Sequence, residues 1–333
     1  MRGKLPLICL RKEKALLVKA YNKKVDFEGG RKFFTITKLS QSMKDNISAY
    51  LYISPFFIIF TVFGLFPILF TFYVSFKEWN ILSSGEFIGL QNYIKLFTDD
   101  PLFWKSVGNT IILWIMSTAP QIFLALVIAF ALNQKFLKGK QFYKLAVFIP
   151  YVTSVVAVGI IFSVIFGKQY GILNYLLSLI GIDPINWQGN TLAAQIAISI
   201  MVLWRWTGYN SIIFIAALQN IPNDLYEAAT IDGASKFQQF LHITIPMIRP
   251  MIIFVVIVST IGGMQLFTEP LLFLGQGGGS SAQGLTMSLY LYEEAFVRNN
   301  FGYASAIAVL LFLVILVFSL VNLLMTKQIK SVD

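Results

Sequence analysis

The chain has 333 residues, 56% of them hydrophobic and only 13% charged, with a formal net charge of +10. Soluble domains carry about 25% charged residues, so this is the composition of a polytopic membrane protein. A single cysteine, Cys9, and a single histidine, His242, exclude a disulfide framework, a Cys/His zinc site and a Cys/His dyad within the chain. Neither a G-x-x-x-x-G-K-[ST] phosphate loop nor an H-E-x-x-H pair occurs, so any use of ATP requires another chain.

The positive excess is concentrated at one end. Residues 1–49 hold 12 Lys/Arg against 4 Asp/Glu, a net of +8. That concentration argues against a nucleic-acid-binding face. The segment contains no apolar run long enough for a signal sequence and reads as a basic cytoplasmic tail lying near anionic lipid.

A spanning helix needs about 20 mostly apolar residues. Six runs qualify, at about 50–76, 107–132, 142–166, 192–219, 246–270 and 303–325. Pro55, Pro67, Pro120 and Pro150 fall in or at the ends of these runs. Membrane helices tolerate them because neighbours re-satisfy the freed carbonyls. With the N-terminus inside, the inner segments carry 20 of the 26 Lys/Arg, and the outer ones carry Lys77, Lys95, Lys105, Lys168 and Arg298. The Lys/Arg bias sets orientation, so the expected fold is all-α and integral to the membrane, with six transmembrane helices and both termini inside. Residues 50–333 form its transmembrane domain. Trp79, Trp104 and Trp187 fit an outer aromatic belt. Of the outer connections, 77–106 should hold a short interfacial helix. Within 271–302, the run Gly275 to Ser281 is flexible by composition.

The connection between spans four and five is more structured than a simple link requires. Asn223 is a good N-cap and Asp224 suits the positive helix end. Leu225 to Asp232 can make two turns, with Ala228 and Ala229 offering a flat face for close approach. Gly233 stands where a helix end needs positive φ. Ser235 and Gln238 have capping-box spacing, and Pro246 and Pro250 mark the entry to span five. Taken alone, this pattern fits either a docking element or an interfacial helix without a partner.

Within the spans, Arg205 is costly to bury, about 2.5–3.5 kcal/mol on insertion scales. It can pair with Glu269 or with a partner chain. Trp206, Tyr209 and Asn210 combine aromatic faces with polar groups, as a sugar path does, and Gln265, Thr268 and Glu269 follow in span five. His242 reads as a surface or interface residue.

The segment Glu227-Ala228-Ala229, then Gly233, then Ile243-x-Ile245-Pro246 resembles the signature loop of permease subunits in binding-protein-dependent ABC importers. It departs only at Ile245, where the family usually has leucine. Phe87 to Tyr93, Phe103-Trp104 and Asn109-Thr110 look like the start of the permease core, and Leu218 to Pro222, Ile231 to Ala234 and Tyr303 to Ala308 look like the carbohydrate-uptake (maltose, lactose, oligosaccharide) branch in particular. The resemblance runs from about residue 50 to the end. It implies a subunit of the bacterial plasma (inner) membrane that admits a di- or oligosaccharide to the cytoplasm. In this reading residues 220–246 form a coupling helix docked on an ATPase. Glu227 would meet a basic residue of that ATPase, Ala228 and Ala229 would pack in its groove, and Asp232, Gly233, Ile243 and Pro246 would complete the motif.

The partners implied by this resemblance are a second permease, a cytoplasmic ATPase dimer carrying ATP and Mg, and an extracellular or periplasmic solute-binding protein. The chain itself would bind no cofactor or metal. A glycerol-phosphate permease is an alternative within the family. An ion-coupled secondary carrier would need a series of buried carboxylates, and only Glu269 approaches the membrane interior. A membrane enzyme would need an acid/base or metal cluster, which the sequence lacks.

Overall fold

In the computed structural model, residues 41–83, 85–134 and 137–328 are described, with side chains described from 50 to 324. The proposed reading of residues 1–40 therefore lies outside the described residues. The chain divides into two compact units, Met1–Gly64 and Leu65–Asp333. In the first, helix α1 (Gln41–Phe60) contains Pro55 and runs into a π-helical turn at Thr61–Leu65. Its phenylalanines Phe56 and Phe60 stack at 6.2 Å.

The second unit begins with α2 (Phe66–Val74) and a two-residue hairpin, β1 (Lys77–Glu78) against β2 (Glu86–Phe87). This hairpin is the one departure from an all-α expectation among the described residues. Then follow α3 (Gln91–Thr98), α4 (Pro101–Asn133), α5 (Lys140–Val152), α6 (Val155–Ile165), α7 (Ile172–Ser178) and α8 (Thr191–Leu218). The next elements are α9 (Asn223–Ile231), α10 (Lys236–Gln239), α11 (Arg249–Met264), α12 (Thr268–Leu274), α13 (Met287–Tyr292) and α14 (Phe301–Gln328).

Among the described residues, Tyr50–Val74, Pro101–Asn133 and Phe301–Leu324 are each long and apolar enough to cross a membrane. Two bent pairs bring the number to five if each is one span. Lys140–Val152 meets Val155–Ile165 at 92°. Pro150 removes a backbone donor, and the chain leaves helical geometry at Thr153 and Ser154, with ψ of 140° and 126°. The expected straight helix over 142–166 is therefore an angled pair. The second bend, 72°, falls at Ile248 between Pro246 and Pro250. The expected run 246–270 is also broken a second time, at Gln265–Phe267, before α12. The expected run 107–132 begins earlier, at Pro101, because Asp100 caps it by accepting from the Leu102 and Phe103 amides at 3.0 Å.

α8 is long enough to span but is not one of the helices apolar enough to qualify by composition. Gln195, Ser199, Thr207, Asn210 and Ser211 dilute its hydropathy, and all five are buried. It packs most extensively on α4, where Ala125 and Ala129 face Phe214 and Ile215. Small residues let membrane helices approach closely. α5 lies on another side of α8, and Gly208 makes that contact possible: a Cβ there would sit 1.8 Å from the Val147 carbonyl oxygen.

Two expectations from composition need correction. Trp187 is a core residue, 7% exposed, packed on Phe166 and donating its Nε1–H to Asn174 at 2.9 Å. The glycine-rich run 275–281 is tied down. Glu293 accepts from the Gly277 amide, Gln283 Oε1 accepts from the Ser281 amide at 2.8 Å, and Gln283 Nε2 donates to the Gln188 carbonyl at 2.6 Å.

Candidate functional site

Two sites emerge from these elements. The first is the 220–247 connection. α9 carries no buried residue. Pro222 takes the N-cap position with no side-chain cap, and Asn223 is the first helical residue, one place later than its cap-forming chemistry suggests. At the other end, Asp232 is the C-cap and Gly233 has φ +77°. The Ala234 amide donates to Ala229 O at 2.8 Å and the Gly233 amide to Thr230 O at 3.1 Å. This is a Schellman closure, which needs a residue at ease in the left-handed region. Ser235 and Gln238 form a complete capping box for α10.

A cluster of side chains makes the connection one solid piece. Gln239, buried, donates to Thr230 Oγ1 at 2.8 Å and to Ala234 O at 3.3 Å. Tyr226 Oη and Thr244 Oγ1 lie 2.9 Å apart, linking α9 to the entry of α11. Ile243 is half-buried against the core that holds Phe214 and Ile215. Around this cluster, Glu227, Ala228, Asp232, Gly233 and Pro246 are exposed and Ala229 is half-buried. Ile231 is 86% and Phe237 69% exposed. His242 is exposed, with Nδ1 3.0 Å from Gln238 O. An exposed aliphatic and an exposed phenyl ring on an internally satisfied polar loop form a surface suited to contact with another molecule.

The second site is a cavity of about 220 Å³ between α4, α8 and α11. Trp206, Tyr209 and Asn210 line it from α8, with Thr118 and Gln121 from α4 and Ser259 from α11. Tyr151, at the end of α5, stacks on Tyr209 at 4.7 Å and meets Trp206 at 5.3 Å. Asn210 Nδ2 donates to Ser259 Oγ at 3.3 Å. The cavity thus offers ring faces beside amide and hydroxyl groups, with no Asp, Glu, Lys, Arg or His in its lining among the described residues. Gln121, Thr118 and Ser259 escaped sequence reasoning. The available signal was a lone glutamine directly after Pro120 in an otherwise apolar run.

The remaining candidates lie apart from this cavity. Gln265 is exposed at the break after α11, and Thr268 is half-buried at the start of α12. Glu269, 5% exposed, faces Arg205, with Nη1 3.1 Å from Oε1. Arg205 Nε is buried with no hydrogen-bond partner, and the guanidinium lies 5.9 Å from the Trp206 ring centroid. Among the described residues no three His, Cys, Asp or Glu side chains gather as a metal site would require.

A buried polar network brackets the 265–303 segment. Asn109 donates to Ala282 O at 2.7 Å and Leu285 O at 3.1 Å, and accepts from Gln195 at 3.1 Å. Tyr290 and Tyr303 both donate to Asp100 Oδ2 at 2.5 Å. Burial, the Asp100 hydrogen bond and the nearby Glu294 carboxylate push the Tyr290 phenol far above its usual range, so it remains a donor. The Asp100–Pro101 pair, a cap followed by proline at the first helical position, was the available sequence signal for one corner of this network.

Comparison with known proteins places the chain in a family. Residues 121–331 match the model of the binding-protein-dependent transport system inner membrane component. The chain is 38% identical over 285 residues to the arabinooligosaccharides transport system permease protein of Bacillus subtilis (strain 168), covering 85% of this chain and 89% of that protein. It is 35% identical to the lactose transport system permease protein of Rhizobium radiobacter, over 89% of this chain and 99% of that one. It is 32% identical to the trehalose/maltose transport system permease protein of Thermococcus litoralis, over 82% and 92%. Its fold is similar to a chain in the crystal structure of a bacterial alginate ABC transporter in complex with an alginate pentasaccharide-bound periplasmic protein. The TM-score is 0.76 at 23% identity, over 88% of this chain and 98% of that one.

Proposed function

The chain belongs to the family of binding-protein-dependent transport system inner membrane components, and from that premise we propose that it admits an uncharged di- or oligosaccharide to the cytoplasm, driven by ATP hydrolysis on a separate subunit. It is a multi-pass protein of the bacterial inner membrane and a transport component rather than an enzyme. In the proposed topology α8 completes the set of six spans, with both termini inside. A helix too polar for a lipid-facing span is suited to the centre of a bundle, where its amides and hydroxyls find partners or line a path.

The observation that carries the reading is the cavity bounded by Trp206, Tyr209, Asn210, Gln121, Thr118 and Ser259. Aromatic faces suit the apolar faces of sugar rings, and amides and hydroxyls suit their hydroxyl groups. The names of the relatives, arabinooligosaccharide, lactose and trehalose/maltose permeases, support the same substrate class. A phosphorylated substrate is disfavoured, because the nearby cation, Arg205, is engaged by Glu269. Gln265 and Thr268 belong to the outer, entry side of the path in this reading, and Glu269 acts through Arg205.

The 220–247 connection is the proposed coupling element. Glu227, Ala228, Ala229, Asp232 and Gly233 would seat on an ATPase dimer that holds ATP and Mg, while Ile243 and Pro246 carry its displacement into α11. The Tyr226–Thr244 hydrogen bond makes α9 and the α11 entry move together. A second permease would supply the other half of the path, and a solute-binding protein would deliver the sugar from outside. The test is ATPase stimulation by the sugar-loaded binding protein in the purified complex. Tyr209→Ala should reduce uptake while the complex assembles. Gly233→Pro or Glu227→Lys should abolish uptake with the subunit still inserted. Normal transport by Glu227→Lys would remove the charge-pairing role, and loss of assembly in Tyr209→Ala would make that cluster a structural element.

A further inference from the structure

Beside the Gly208 contact, α5 and α8 leave a groove of about 400 Å³, lined by Lys140, Gln141, Lys144, Leu145, Phe148 and Ile212. Its chemistry changes from one end to the other. Lys140 and Lys144 stand one helical turn apart with Gln141 at the polar end, and Leu145, Phe148 and Ile212 form an apolar wall. Both lysines are half-buried, an arrangement in which the aliphatic stems lie on apolar surface and the ammonium groups stay at its edge. Lys140 Nζ donates to Asn133 O at 3.3 Å, which leaves further donors on that ammonium for a ligand. Among the described residues no carboxylate lines the groove, so its polar end carries the positive charge of two lysines.

The apolar side continues beyond the groove. Phe142, Leu145, Ile149 and Val152 are 72%, 59%, 57% and 64% exposed. Their spacing of three, four and three residues places them on one face of α5. A free anion would use the lysines and leave this stripe uncovered. A neutral lipid would cover the stripe and leave the lysines unmatched. An anionic amphiphile matches both, and basic pockets between helices at a membrane edge are suited to acidic headgroups.

We propose that this groove holds an anionic phospholipid, with its phosphate between Lys140 and Lys144 and its acyl chains along Leu145, Phe148 and the α5 stripe. The inner-leaflet placement rests on the topology proposed above, while the lipid contact itself does not. The lipid would wedge the fixed α5–α8 contact from its open side.

The test uses the full chain, purified with its partner subunits and reconstituted in phosphatidylcholine with or without phosphatidylglycerol, with retained lipid read by native mass spectrometry. The wild-type protein should keep phosphatidylglycerol in preference. Lys140→Gln/Lys144→Gln should lose that preference by about tenfold or more, and Lys144→Arg should keep it. Equal retention of the two lipids, or unchanged retention in the double glutamine variant, would overturn the proposal. So would complete displacement of the lipid by inorganic phosphate, or loss of a co-purifying subunit in place of lipid. Lys138→Cys, exposed beside the groove, reports the side of the membrane through an impermeant maleimide. Labelling from outside would refute the inner-leaflet placement and the topology together, while lipid retention still decides the contact.

Discussion

The 265–303 segment and the 220–247 connection are both polar stretches between apolar helices, yet they treat their polar groups in opposite ways. The first turns inward. Glu269, Gln283, Thr286, Glu293 and Glu294 are all buried, and Thr286 Oγ1 donates to Leu266 O at 2.6 Å while Glu294 takes Arg298 and Asn300. The second satisfies its backbone with caps and a small interior cluster, then leaves a whole helix, α9, without one buried residue. A segment that has used its polar groups on its own chain is a fixed part of the scaffold. A segment that is internally satisfied but exposed on its outer face suits the proposed role of being held by another subunit.

The comparison breaks first, and hardest, at Glu269. Removing one partner of a buried ion pair leaves the other charge uncompensated, at a cost of about 3–5 kcal/mol. Arg205 is 21% exposed at its side chain, so Glu269→Ala should fall at the low end, about 3 kcal/mol. Thermal unfolding of the solubilised protein measures it. Arg205→Met/Glu269→Leu should recover most of the loss, since both charges leave together. A double variant as unstable as the single one would mean that the pair does more than balance charge.

Asn109→Ala should come next. It leaves the buried carbonyls of Ala282 and Leu285 and the amide of Gln195 short of partners, and each orphaned group costs about 1–3 kcal/mol. A net loss of about 2 kcal/mol is expected, with proteolysis appearing in the 275–285 loop before the rest of the chain. If that loop resists protease as the wild type does, its order comes from elsewhere.

That loop also marks the limit of what could be read from the sequence. The apolar runs located every long helix, and the Gly233 turn and the Ser235–Gln238 capping box were legible residue by residue because those signals are local, whereas the expected Asn223 cap gave way to Pro222. The glycine-rich run at 275–281 looked flexible because composition reports how freely a backbone can turn, and nothing local reveals that Gln283 reaches Gln188. Trp187 looked like a belt residue for the same reason, since its partner Asn174 is 13 positions away. The breaks at Thr153–Ser154 and at Gln265–Phe267 were invisible because hydropathy has no term for direction. α8 was found by its apolar residues, but its central place depends on polar ones whose partners lie on other helices. Within the candidate site, the α8 face of the cavity was legible as an aromatic-polar cluster, whereas Gln121 and Ser259 come from elements that only the fold brings together.

Within the 220–247 connection, Gln239→Ala tests its internal rigidity. The loss of hydrogen bonds to Thr230 and Ala234, each worth about 1 kcal/mol, should cost about 1 kcal/mol overall because the exposed loop lets water replace part of them. Hydrogen exchange at the α9 amides should quicken while the α4 and α8 amides stay unchanged. Spread of faster exchange into α8 would mean that the connection supports the bundle instead of riding on it.

The smallest effect on stability should accompany a clear effect on coupling. Ile231 is 86% exposed at the end of α9, and Ile231→Ser removes almost no packing within the chain, so its stability change should stay within about 0.5 kcal/mol. An apolar side chain held in water by a Schellman closure and a capping box gains only when a partner covers it, and full burial of such a side chain is worth about 1.5–3 kcal/mol. The serine variant should therefore unfold like the wild type, weaken recovery of the ATPase with the permease by about tenfold, and lower sugar-stimulated ATP hydrolysis in the same proportion. Unaltered recovery would leave Ile231 outside the contact and shift the docking face toward Phe237 and Leu241. A matching fall in stability and recovery would contradict the division itself, because α9 would then be part of the scaffold, as the 265–303 segment is.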